Sequence, residues 1–68
     1  MSAHTNKKIE LVGSSTESSD KAVENALAKA KESIRNIDWF EVMETRGHVV
    51  EGRIAHWQVV LKVGFRLD

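Results

Sequence analysis

Two side chains of this 68-residue sequence, Trp39 and Gln58, could together hold a flat ring. An indole face attracts planar aromatic ligands, and aromatic pairs gain roughly 0.5–1.5 kcal/mol beyond the burial of their area. A glutamine beside such a ring offers both an acceptor and donors to a polar heterocycle edge. Two interpretations stay open at this point: a stacking site for a ligand, or packing across a subunit interface.

Two arginines, Arg46 and Arg66, are suited to an anionic group. Each guanidinium presents a planar fork that matches phosphate, although single exposed arginines are more often solvated or ion-paired. The three histidines, His4, His48 and His56, do not have the spacing of zinc ligands. We therefore predict ordinary strand histidines and no metal site.

The sequence shows no recognisable arrangement of catalytic residues. It contains no glycine-rich phosphate loop and no recognisable pairing of a nucleophile with a base. Glu41 and Glu44 are three positions apart in a predicted strand, so they should face opposite sides of the sheet. We predict a binding protein and not an enzyme.

Length and composition narrow the class of protein. Sixty-eight residues predict a single domain, 1–68, which is marginally stable alone and has no cysteine for disulfides. Oligomerisation is therefore the expected stabiliser. Ten basic residues balance ten acidic ones, which argues against nucleic-acid binding. With no long apolar stretch and no signal-peptide core, we expect a soluble, cytoplasmic protein with no membrane contact.

The strongest structural signal is a strand over 53–67, in which one parity is apolar throughout. Its members are Ala55, Trp57, Val59, Leu61, Val63, Phe65 and Leu67. This parity should face the core. The other parity carries Gln58 among polar and apolar side chains, and it is too apolar in places to be an idle solvent face.

Two further strands are predicted over 7–12 and 38–50, and an amphipathic helix over 20–36. The serine-rich segment 13–20 reads as a turn. In that turn Ser14, Ser18 and Ser19 remain alternative N-caps of the helix.

The connections predict an α+β fold of β-α-β-β order. Glu51 and Gly52 form a two-residue hairpin turn, so the second and third strands are antiparallel. The first strand then lies beside the third, which gives a three-stranded antiparallel sheet of order 1-3-2. A bulge within 44–47 is expected, because otherwise Arg46 and His48 would lie on the core side.

Four segments carry a resemblance to a known family. They are IELVGSS (9–15), RNIDWFEV (35–42), ETRGH (44–48) and HWQVVLKVGFRL (56–67). In this order and spacing they resemble the dodecins, small flavin-binding proteins, over nearly the whole chain. The resemblance implies a three-stranded sheet partly wrapped around one helix, and a homo-oligomer of twelve subunits that forms a hollow shell.

The resemblance also implies roles for three residues. Trp39 matches the tryptophan that stacks on the isoalloxazine ring, with two flavins held antiparallel between symmetry-related tryptophans. Gln58 matches the glutamine that hydrogen-bonds the polar edge of the flavin. Arg46 matches an arginine that bacterial members place near the phosphate of FMN, which favours FMN over riboflavin as the ligand.

Three more residues, Asp38, Lys7 and Arg66, match positions that lie near the ligand or at subunit contacts in some bacterial members. Some bacterial dodecins also hold coenzyme A at another surface, but no motif in this sequence indicates it. The function that the resemblance implies is flavin storage and photoprotection without catalysis. The alternatives are a purely structural oligomer and, with least support, a flavin-dependent enzyme, for which the sequence shows no nicotinamide site.

Overall fold

The computed structural model describes residues 5–67 as four elements in the order strand, helix, strand, strand. They are β1 (Asn6–Ser15), α1 (Ser19–Ala30), β2 (Ile37–Val50) and β3 (Arg53–Arg66). β3 lies between β1 and β2 and pairs antiparallel with both. The predicted α+β topology and strand order 1-3-2 are confirmed.

The core lies between α1 and one face of the sheet. Val59, Leu61 and Val63 of β3 are at most 1% exposed. They pack against Ala22 and Ala26, whose small side chains let the helix approach the sheet closely. The three β3 residues alternate along the strand, so the apolar parity of 53–67 correctly identified the buried face.

The helix begins at Ser19, one residue before the prediction, and Ser18 is its N-cap. The Ser18 side-chain oxygen accepts the backbone N–H of Lys21 at 3.0 Å. This hydrogen bond satisfies one of the N–H groups that the first turn leaves without an intrahelical partner. Among the three candidate serines, the structure selects the middle one.

β1 runs on to Ser15, so the turn predicted to begin at residue 13 is wrong for 13–15. Gly13 pairs with Val59 on the side of the sheet that faces α1. A Cβ at Gly13 would lie 2.2 Å from the carbonyl oxygen of Ala22. This glycine therefore serves close packing of the helix on the strand, and not a turn.

The helix ends at Ala30, so the prediction of a helix to residue 36 is wrong for 31–36. The N–H of Ser33 donates to the carbonyl of Ala30, three residues back, which tightens the chain into a turn. Asn36 then has a φ of 62°, in the left-handed region, and it leads directly into β2. Asparagine is among the residues that tolerate this conformation best.

Glu51 and Gly52 join β2 to β3 as predicted. Both residues have positive φ, 52° and 75°, as a two-residue type I′ hairpin turn requires. The pairing of β2 with β3 is interrupted at Asp38 and Met43 on β2, and near Ala55 on β3.

The bulge predicted within 44–47 occurs at Met43, one residue earlier than predicted. Its consequence is the expected one. Arg46 lies opposite Gln58, on the side of the sheet away from α1. Because the bulge precedes Glu44, that carboxylate lies on the same side and pairs with the guanidinium of Arg46. Glu41, opposite Lys62, lies on this side too, so the prediction that Glu41 and Glu44 face opposite sides of the sheet is wrong.

α1 packs on β1 and β3, and β2 is left exposed in the single chain. Phe40 and Val42 lie opposite Val63 and Leu61, on the helix side, yet they are 47% and 46% exposed. Apolar residues exposed in this way mark an interaction surface. Within residues 5–67, no helix is long and apolar enough to span a membrane.

Candidate functional site

Four of the predicted site residues lie on one face of the sheet, the face away from α1, which we call the outer face. Residues directly opposite each other in an antiparallel pair share a face. Trp39 lies opposite Gly64, and Arg46 lies opposite Gln58. Arg66, two positions after Gly64 on β3, shares that face as well.

The indole of Trp39 lies across the central strand at Gly64. A Cβ on Gly64 would be 2.1 Å from Cε2 and 2.2 Å from Cζ2 of the indole, so the ring occupies the space that a side chain at 64 would need. Trp39 nevertheless remains 39% exposed. One side of the indole therefore rests on β3 while another part is open to solvent, where a planar ring can stack.

A lysine and a glutamate that sequence analysis missed border this indole. Lys8 lies opposite Gly64 on β1, and Glu41 follows Trp39 by two positions on β2. Lys8 Nζ donates to Glu41 Oε1 at 2.9 Å. This hydrogen bond joins the edge strands β1 and β2 across β3. The same ammonium lies 5.7 Å from the centroid of the indole ring.

The electrostatics of Glu41 follow from this contact. The hydrogen bond from Lys8, followed by the positive charge of Lys8, holds the pKa of Glu41 below its ordinary value of 4.5. The charge of Lys62 acts in the same direction more weakly. The indole thus lies beside an ion pair whose carboxylate stays ionised at neutral pH.

Gln58 and Arg46 form a second group on the outer face. Six positions of β3 separate Gln58 from Gly64, which corresponds to about 20 Å at ~3.3 Å per residue. The guanidinium of Arg46 pairs with Glu44, and its remaining N–H donors can serve another acceptor. Within one chain the structure does not bring Trp39 and Gln58 together.

The other three candidate residues lie near Trp39 in the sheet, but their side chains do not all lie on the outer face. Asp38 is the exposed residue that the pairing skips immediately before Trp39. The backbone N–H of Arg66 donates to the carbonyl of Asn36 at 3.1 Å, which fixes the end of β3 beside the entry into β2. Lys7 has the opposite parity and shares the helix side of the sheet, away from the indole of its own chain.

The two described histidines form a pair of their own. His48 lies opposite His56 on the outer face, and the rings stack with centroids 4.6 Å apart and planes inclined by 15°. Over residues 5–67, no group of three or more histidine, cysteine or acidic side chains could hold a metal ion. His4, the third histidine, lies outside the described residues.

The sheet-and-helix fold and this outer face define a small binding protein with an aromatic platform bordered by charged side chains. The chain belongs to the dodecin family, a family of oligomeric binding proteins, because the family model described as Dodecin matches residues 5–68.

The dodecin of Thermus thermophilus is 52% identical over 62 residues, which span 91% of this chain and 90% of that protein. Among solved structures, the dodecin from Streptomyces davaonensis has a TM-score of 0.94 at 51% identity and covers 98% of each chain. The dodecin from Streptomyces coelicolor has the same TM-score at 50% identity, covering 100% of this chain and 97% of the other.

Proposed function

We propose that this protein binds flavin without catalysis, and that it stores the flavin and protects it from light. FMN is the principal ligand in this proposal, and riboflavin is the alternative. The observation that carries it is the indole of Trp39, seated on the bare backbone of Gly64 and open on the outer face. The flavin ring is planar and electron-poor, and an electron-rich indole of matching shape favours stacking with it.

The spacing of the two groups on the outer face supports a site shared between copies of the chain. Trp39 and Gln58 lie about 20 Å apart along β3. A tricyclic ring is much shorter than this, so a flavin that touches both residues takes them from different subunits. The apolar residues left exposed on β2 supply surface for such an assembly, and we propose that it contains twelve copies.

In this proposal two arginines, Arg66 and Arg46, explain the preference for FMN over riboflavin. Arg66 lies on the outer face about 7 Å along β3 from Gly64, close to the platform of its own chain. Arg46 of a neighbouring copy would approach together with Gln58, which it faces across the strand pair. A planar guanidinium fork matches a phosphate, so FMN should bind more tightly than riboflavin.

Contact between the flavin ring and the indole of Trp39 protects the bound flavin from light. A flavin stacked on an indole loses its excited state by electron transfer from the indole before it can emit or react. The bound flavin should therefore be nearly dark. Because the opposite side of the indole rests on β3, the stack offers little room for a second substrate.

The test is a titration of FMN into matched tryptophan variants of the flavin-stripped protein. Trp39→Phe keeps a flat ring but removes the electron donor, so FMN emission should fall much less at saturation than with the wild type. Trp57→Phe is the control, since Trp57 lies opposite Gly47 on the helix side of the sheet. Full quenching by Trp39→Phe, or equal loss of quenching in both variants, would count against the proposal.

A further inference from the structure

We propose that Lys8 is a ligand-recognition residue of the stacking site, where its ammonium, held in place by Glu41, donates to an acceptor atom on the edge of the stacked ring. This inference rests on the proposed function and adds to it a residue that neither the sequence motifs nor the resemblance indicated. It concerns the ring of the ligand and not its phosphate tail.

The geometry places the ammonium within reach of the edge of a ring stacked on Trp39. Lys8 Nζ lies over the indole, 5.7 Å from its centroid. Rings that stack have centroids about 4.5–7 Å apart, so the ammonium lies at the level of a stacked ring and can contact its edge. An ammonium has three N–H donors, and the bond to Glu41 uses one of them, which leaves two for a ring carbonyl or ring nitrogen.

The ion pair fixes the lysine before the ligand arrives. Lys8 on β1 spans the central strand to reach Glu41 on β2 at 2.9 Å. A lysine side chain loses considerable rotamer freedom when it is immobilised, and here part of that loss occurs in the free protein. A hydrogen bond from a charged donor to the flavin ring is then gained without the full ordering cost.

Lys29 provides a matched comparison. It lies on α1, across the sheet from the outer face, and it also pairs with a glutamate, Glu32, at 3.6 Å. The net charge and composition of the two single variants Lys29→Met and Lys8→Met are identical. A difference between them therefore reports the position of the ammonium and not the total charge of the protein.

The experiment titrates FMN and riboflavin separately into the wild type, Lys8→Met and Lys29→Met as full chains. We expect Lys8→Met to weaken both flavins by roughly the same factor, about tenfold, because a hydrogen bond from a charged donor to the ring is lost. Lys29→Met should stay within about twofold of the wild type. The absorption bands of fully bound flavin should also shift in Lys8→Met, because the charge at the ring edge is gone.

Four outcomes would overturn the inference. They are an unchanged affinity in Lys8→Met, an equal loss in Lys29→Met, a loss confined to FMN, which would assign the lysine to phosphate, and an unshifted spectrum at saturation. Glu41→Gln provides a second variant that retains Lys8. Its flavin affinity should fall between those of the wild type and Lys8→Met, and a wild-type affinity would contradict the anchoring role. A wild type that binds no flavin would refute the proposed function itself.

Discussion

Replacing Gly64 by alanine tests whether the aromatic platform depends on the bare backbone beneath it. The new Cβ would start 2.1 Å from Cε2 of Trp39, about 1.3 Å short of the 3.4 Å at which ordinary contact begins. If the ring stayed in place, overpacking of this kind would cost roughly 1–3 kcal/mol. Because the indole is 39% exposed, it can swing outward, so we expect a stability loss near the lower figure of about 1 kcal/mol.

The effect on flavin should be clearer than the effect on folding. Loss of a well-placed aromatic pair removes roughly 0.5–1.5 kcal/mol, which corresponds to a roughly two- to tenfold weaker affinity. The assay is FMN emission against protein concentration, with unfolding in urea measured alongside. Gly47→Ala is the matched control, since a Cβ there meets only the carbonyl oxygen of His56 at 3.8 Å, an ordinary contact. Wild-type affinity and quenching in Gly64→Ala would refute the reasoning.

Three further predictions concern stability and acid titration. Ser18→Ala removes the helix N-cap and should lower the free energy of unfolding by about 1 kcal/mol in urea, whereas no change would contradict the cap. Gly13→Ala places a Cβ 2.2 Å from the backbone oxygen of Ala22, which cannot swing aside, so the loss should approach about 3 kcal/mol; a smaller loss than in Gly64→Ala would argue against this packing. Glu41 has a lowered pKa, so its contribution to stability is present above pH 4.5 and is lost as the pH falls through its folded pKa. NMR titration of its carboxyl carbon should show the midpoint moving upward in Lys8→Met, and an unmoved midpoint would contradict the ion pair.

The topology could be predicted because its signals are local. Alternation along 53–67 requires only that successive side chains leave opposite faces, and the Glu51–Gly52 turn requires only the two residues themselves. The end of the helix could not be predicted in this way. Ile34 and Ile37 continue the helical spacing, but Ile34 follows the end of α1 and Ile37 already begins β2. Ile37 packs against the core from β2, so the apolar spacing continues beyond the point where the helix ends.

The sequence predicted the face of the sheet on which the candidate site lies, but not how the strands align with one another. Alternation placed Gln58 on the face away from the core, and the pairing confirms that assignment and places Trp39 there as well. The position of the indole over Gly64 and the contact between Lys8 and Glu41 depend on how β1 and β2 each align with β3. A sequence pattern does not fix that alignment, because a shift of two residues preserves every face. The bulge at Met43 changes the alignment again.

The most direct test of the central claim is a titration of FMN fluorescence with the flavin-stripped wild-type protein, with particle size measured by light scattering on the same sample. We expect the emission to collapse at a simple whole-number ratio of FMN to subunits on a particle near twelve subunits. Unchanged emission on that same particle would contradict flavin binding. It would leave an oligomer in which Trp39 and Gln58 serve only to pack subunits together.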